Sequence, residues 1–128
     1  MTDADPRFLS IEVAIAVHER QLAEHGGLAG TKDHGLLESA MARPVNKQGY
    51  GETDRCALAA AYAFGIARNH PFADGNKRTA WVMARLFLRL NDVSIVFDKA
   101  DAIRTMLALA AGEMDEDTLV AWFRAHIA

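Results

Sequence analysis

At 128 residues the chain can enclose one hydrophobic core and is too short for two ordinary domains. Hydrophobic residues make up 51% of it against only three prolines, which excludes a disordered polymer. A formal net charge of −3 gives no global attraction to nucleic acid or to an anionic membrane, so any basic site has to be local.

The start, Met1-Thr2-Asp3-Ala4-Asp5-Pro6, is acidic and polar and lacks the cationic end and apolar run of a secretory signal. No stretch is long enough to span a bilayer, and a cytoplasmic protein is expected. Ser10 is placed to cap a first helix whose apolar set Ile11, Ala14, Ile15, Val17 and Leu22 follows a 3.6-residue period and closes at Gly26-Gly27. Within it, His18-Glu19-Arg20-Gln21-Leu22 begins like a zinc-protease helix, but Leu22 stands where the second histidine is needed, so zinc is rejected. Gly27 to Thr31 reads as a turn-rich connector. Asp33 then caps a short helix bearing Leu36, Leu37, Ala40 and Met41, stopped by Pro44.

From Pro44 to Glu52, Asn46, Gly49 and Gly51 interrupt Val45 and Tyr50 in a pattern too irregular for a helix, which predicts an exposed flap or small hairpin. Thr53 or Asp54 caps a third helix through Asn69, where Leu58, Ala61, Tyr62, Gly65 and Ile66 recur at helical spacing among small residues. This helix is expected at the centre, with Cys56, the single cysteine, as a small buried apolar side chain. A fourth helix, Asn76 to Leu90, carries Ala80, Met83, Phe87 and Leu90 on one face and ends at Asn91. Ser94 to Phe97 reads as extended. Asp98 begins a fifth helix ending before Gly112, and Asp115 a sixth that takes Leu119, Val120, Trp122, Phe123 and Ile127 to the terminus. The expected fold is all-α: a single compact six-helix bundle over residues 1–128 with a short flap or hairpin. Chemistry then belongs in loops between packed helices.

One such loop gathers the residue types that chemistry needs: His70-Pro71-Phe72-Ala73-Asp74-Gly75-Asn76-Lys77-Arg78. Gly75 can take backbone angles closed to other residues and let successive amides turn toward one ligand, for which phosphate is suited. Asn76 reads as an N-cap of the fourth helix, which puts Lys77 and Arg78 in its first turn, where cations oppose the helix dipole. Two positive charges on a positive helix end make sense if an anion docks there. Asp74 either neutralises those cations or holds a magnesium ion bridging phosphate oxygens. His70 offers a base able to accept a proton from an attacking hydroxyl. Phe72 is read as core, Pro71 as a stiffener, and Thr79 as back-bonding within its helix. His25, His34 and His126 read as ordinary surface or capping histidines, and Trp81, Phe87, Trp122 and Phe123 as core.

His70-x-Phe72-x-Asp74-Gly75-Asn76-x-Arg78 resembles the signature of the Fic/Doc superfamily. Lys77 stands where the Fic branch has glycine and Trp81 where it has a second arginine. Both departures, with Thr79-Ala80, resemble the Doc branch. The similarity extends through Gly26-Gly27-Leu28-x-Gly30, Arg68, and Leu86-Phe87-Leu88-Arg89. This resemblance implies a Ser/Thr protein kinase toxin of a type II toxin-antitoxin system that uses ATP and Mg2+. Its substrate would be a threonine of translation elongation factor Tu, and translation would stop. In that scheme His70 is the catalytic base, Asp74 the metal ligand, and Arg68, Gly75, Asn76, Lys77 and Arg78 bind the nucleotide phosphates. No internal inhibitory helix of the pattern (Ser/Thr)-x-x-x-Glu-(Gly/Asn) occurs, so restraint is expected from a separate antitoxin whose disordered segment folds on binding. No direct nucleic-acid or membrane partner is expected. The alternatives are a Fic-type protein adenylyltransferase and a catalytically silent module that binds nucleotide or antitoxin.

Overall fold

The computed structural model describes residues 5–128; Met1 to Ala4, part of the acidic start, lie outside the described residues. Six helices follow one another: α1 (Ile11–His25), α2 (His34–Gly49), α3 (Arg55–Asn69), α4 (Asn76–Leu90), α5 (Lys99–Ala110) and α6 (Glu116–Ala125). Among the described residues there is no strand, only two isolated antiparallel bridges, Thr31 with Phe72 and Ile95 with Ile127. The all-α expectation holds.

The cap chemistry read from the sequence forms as expected at most helix starts. Ser10, Asp33, Asp54, Asp98 and Asp115 each accept a hydrogen bond from a backbone N–H of the first turn of α1, α2, α3, α5 and α6. α3 is the central rod, enclosed by α2, α4, α5 and α6. Its run of alanines lets neighbours approach closely. A Cβ on Gly65 would lie 3.0 Å from the Ala40 Cα of α2, so a side chain here would force the two helices apart by a few tenths of an ångström. Leu58, Tyr62 and Ile66 of α3 are fully buried against Leu37, Phe72, Met83, Phe87, Leu109, Leu119 and Phe123 in one core. Each contributes about 1.5–3 kcal/mol by leaving water. The Tyr62 hydroxyl accepts from Leu9 N–H at 2.9 Å, and its burial pushes the phenol up to about 12. Cys56 is buried as expected, and burial pushes its thiol up to about 11.

The flap or hairpin expected from Pro44 to Glu52 does not form. α2 runs through Pro44, which is buried, and ends at Gly49. A proline inside a helix costs roughly 3 kcal/mol locally, and tertiary contacts offset it. Arg43 and Lys47, one turn apart, both pair with Glu116 of α6, Lys47 at 2.7 Å, and the Arg43 guanidinium lies 4.8 Å above the Phe64 ring of α3. What remains of the irregular stretch is a tight turn at Tyr50 and Gly51, with Tyr50 fully in solvent.

α6 is shorter than expected. Ile127 leaves the helix for its bridge with Ile95, and Val96 N–H bonds the His126 carbonyl at 2.8 Å. The extended reading of Ser94 to Phe97 thus holds as a single bridged crossing. No helix among the described residues is long and apolar enough to cross a membrane.

Candidate active site

The loop from His70 to Asn76 joins the central helix to α4, and its backbone is fastened on several sides. The carbonyl of Pro71 accepts from Lys32 and Asp33 N–H at 2.8 and 3.0 Å, and Ala73 N–H donates to the Gly30 carbonyl at 3.1 Å. Asn69 Nδ2 donates to the Leu36 carbonyl at 3.0 Å, tying the end of α3 to the start of α2. Phe72 is buried in the core, as read from the sequence.

Asn76 is not the N-cap. Gly75 takes that position at φ +76°, with no side-chain cap bond, and Asn76 is the first helical residue. Its side chain turns back and clasps Phe72: Oδ1 accepts from Phe72 N–H and Nδ2 donates to the Phe72 carbonyl, both at 3.0 Å and buried. The loop is too tight to leave Phe72 without partners, and Asn76 is the residue that reaches them. Its side chain is therefore unavailable to a phosphate; what it offers is its backbone N–H.

The ionisable side chains of this stretch, His70, Asp74, Lys77 and Arg78, all face solvent. His70 sits in the left-handed region at φ 49°, ψ 56° as the C-cap of α3. A non-glycine residue there costs roughly 1–2 kcal/mol, and the fastened loop on one side and α3 on the other hold it. Asp74 Oδ1 accepts from Gly75 N–H at 2.9 Å, and Oδ2 lies 3.4 Å from Leu28 N. A Cβ on Gly27 would come within 2.8 Å of Oδ2, so the Gly26-Gly27-Leu28 turn fits around this carboxylate only because position 27 is glycine. The uncapped α4 start leaves first-turn N–H groups without intrahelical partners, with Lys77 and Arg78 beside them. That combination of donors and charge suits an anion with several oxygens.

No group of three His, Cys, Asp or Glu side chains that could cage a metal occurs among the described residues. A single exposed carboxylate whose oxygens each meet one N–H matches a cation held mainly by phosphate and water, the manner of magnesium.

Arg68 is placed elsewhere. Its guanidinium lies 5.2 Å from the Phe64 ring centroid and beside Gly112 in the α5–α6 turn, and it forms no ion pair or hydrogen bond with the loop among the described residues. Thr79 does not back-bond: its hydroxyl is buried with no hydrogen-bond partner. Trp81 belongs to an aromatic cluster, its ring centroid 5.1 Å from Phe97, 5.7 Å from Trp122 and 6.1 Å from Phe123, with the Arg85 guanidinium over Trp81 and Phe97. The core reading of Trp81 holds.

His18 acquires a place that the sequence reading missed. It is 2% exposed, its ring stacks on Phe72 at 3.8 Å and 7°, and Nε2 donates to the Asp74 carbonyl at 2.8 Å. The available signal was register: Ala14, His18 and Leu22 recur every four residues, which puts a histidine on the buried face of α1.

Known proteins resemble the chain over the same region. Residues 8–88, which include the whole loop, match a sequence family described as the Fic/DOC family. The chain is 39% identical over 109 residues to "Protein kinase doc" of Escherichia phage P1, spanning 84% of this chain and 86% of that protein. It is 41% identical over 101 residues to "Toxin Doc" of Mycolicibacterium smegmatis (strain ATCC 700084 / mc(2)155), spanning 75% of this chain and 77% of that one.

Proposed function

The chain belongs to the Fic/DOC family, and from that premise we propose that it is a Doc-type toxin that transfers the γ-phosphate of ATP to a threonine hydroxyl of translation elongation factor Tu, blocking translation. The observation that carries this reading is the pairing of a strained, exposed His70 with an uncapped helix start flanked by Lys77 and Arg78. An observed backbone outlier beside a set of unsatisfied donors is where function is expected to store strain.

In this reading His70 accepts the proton of the incoming hydroxyl as its oxygen attacks the γ-phosphorus in line, the bond from that phosphorus to the β–γ bridging oxygen breaks, and ADP leaves. The N–H groups of the first turn of α4, together with Lys77 and Arg78, stabilise the charge spread over the transferring group, and Gly75 lets the backbone approach it. Asp74, held by Leu28 and Gly75, would hold a magnesium ion, which would supply neutralisation of phosphate charge when bound. Asn76 contributes its backbone N–H and, through its clasp, the loop geometry. Arg68, exposed two residues before His70 with its guanidinium resting on the Phe64 ring, is a further candidate to offset the charge on the transferring group. The proposal extends to a single domain over residues 1–128, a cytoplasmic location, and restraint within a type II system by an antitoxin whose disordered segment folds on binding.

Intact-mass and peptide mass spectrometry of elongation factor Tu incubated with the protein, ATP and magnesium tests the reading. Addition of one phosphate to a threonine, lost with His70→Ala, is expected. Addition of AMP would replace the kinase by an adenylyltransferase, and an unmodified factor would remove this substrate.

A further inference from the structure

A buried histidine on α1 that bonds the backbone of the loop has no part in the chemistry above. We infer that His18 is a positioning residue that fixes the Asp74–Gly75 peptide plane and, through it, aims the Asp74 carboxylate.

The carbonyl of Asp74 and the N–H of Gly75 belong to one planar peptide unit, so fixing the direction of one fixes the other. His18 Nε2 holds the carbonyl end at 2.8 Å, and the N–H end of the same plane holds Asp74 Oδ1 at 2.9 Å. The plane is otherwise easy to turn, because Gly75 lacks a side chain and sits at φ +76°. His18 itself has little freedom: it is almost wholly buried, flat against Phe72, which is clasped in turn by Asn76. The line of contacts runs from the core of α1 to an exposed carboxylate. Its distinctive consequence is that loss of the Nε2 donor alone frees the Gly75 N–H and the carboxylate it holds, while the bundle stays folded. The link between this device and phosphoryl transfer rests on the reading proposed above; the device itself is a property of the loop.

Two crossed substitutions separate donor from ring. His18→Phe keeps a ring on Phe72 and loses the donor; His18→Gln loses the ring and keeps a donor of similar reach. Amide hydrogen exchange of Gly75 in the full chain, read by NMR, is expected to accelerate by about tenfold in His18→Phe and to stay within about threefold of wild type in His18→Gln, in line with the loss of a single hydrogen bond. If the larger Phe ring is not accommodated, His18→Met, of the length of Gln without its donor, takes its place with the same expectation. Equal exchange in the two variants, or faster exchange in His18→Gln alone, overturns the inference, because the ring or the fold at large would then be setting the loop. Equilibrium binding of Mg·ATP, by calorimetry on the same proteins, is expected to weaken by about tenfold in the donorless variant only. A wild-type protein that binds no Mg·ATP would count against the kinase reading, while the exchange data would still decide the role of His18.

Discussion

Replacing Asn76 by alanine removes both hydrogen bonds of the Phe72 clasp, each 3.0 Å long and buried. An intramolecular hydrogen bond contributes a net of about 1 kcal/mol, and a buried backbone group left unpaired costs about 1–3 kcal/mol. Taking about 1–2 kcal/mol for each of the two backbone groups left unpaired, the expected loss is about 3 kcal/mol. For a chain of 128 residues, at about 4 °C per kcal/mol, the melting temperature falls by about 12 °C. Asn76→Asp keeps the acceptor for Phe72 N–H but sets a carboxylate oxygen against the Phe72 carbonyl, so its loss should be at least about 2 kcal/mol. Urea denaturation read by circular dichroism gives both values. A loss below about 0.5 kcal/mol for Asn76→Ala, with phosphate transfer abolished, would refute the reasoning, since the side chain would then be a ligand rather than a clasp.

The strain at His70 predicts that His70→Gly is more stable than His70→Ala by about 1 kcal/mol, because only glycine takes φ 49° freely, with both variants inactive in phosphate transfer; equal stabilities in denaturation would show that the conformation is unstrained. Gly27→Ala brings a Cβ within 2.8 Å of Asp74 Oδ2 at a backbone φ of +126°, and should lose about 1–3 kcal/mol together with affinity for Mg·ATP, measured by calorimetry. Cys56 and Tyr62 are raised from 9.0 to about 11 and from 10.0 to about 12 by burial, so above pH 9.0 the folded state retains more protons than the unfolded state. Their contribution is complete below pH 9.0 and is lost as pH rises through about 11 and about 12, Cys56 alone accounting for about 2 kcal/mol. Denaturation across this window should show the fall, and Cys56→Ala should delay its onset.

Local chemistry was enough to write down most of this protein. Aspartate and serine caps, the 3.6-residue period and the alanine-rich third segment act within a turn or two of chain, and the five helices so capped start where they were read. The spacing of His70, Asp74, Gly75, Lys77 and Arg78 likewise depends only on neighbours in sequence, so the loop and its solvent-facing groups were legible. Three features were decided by partners far along the chain. Pro44 is a local breaker, overruled because Glu116, more than seventy residues away, anchors Arg43 and Lys47. Asn76 has the composition of a cap, yet the buried Phe72 backbone had a stronger claim on its side chain. His18 looked like a fragment of a zinc motif, and only the docking of α1 against α4 set it beneath the Asp74 peptide. Sequence fixes propensities and intervals along the chain; which polar group meets which buried donor is settled when helices pack, because burial is what makes an unpaired group costly.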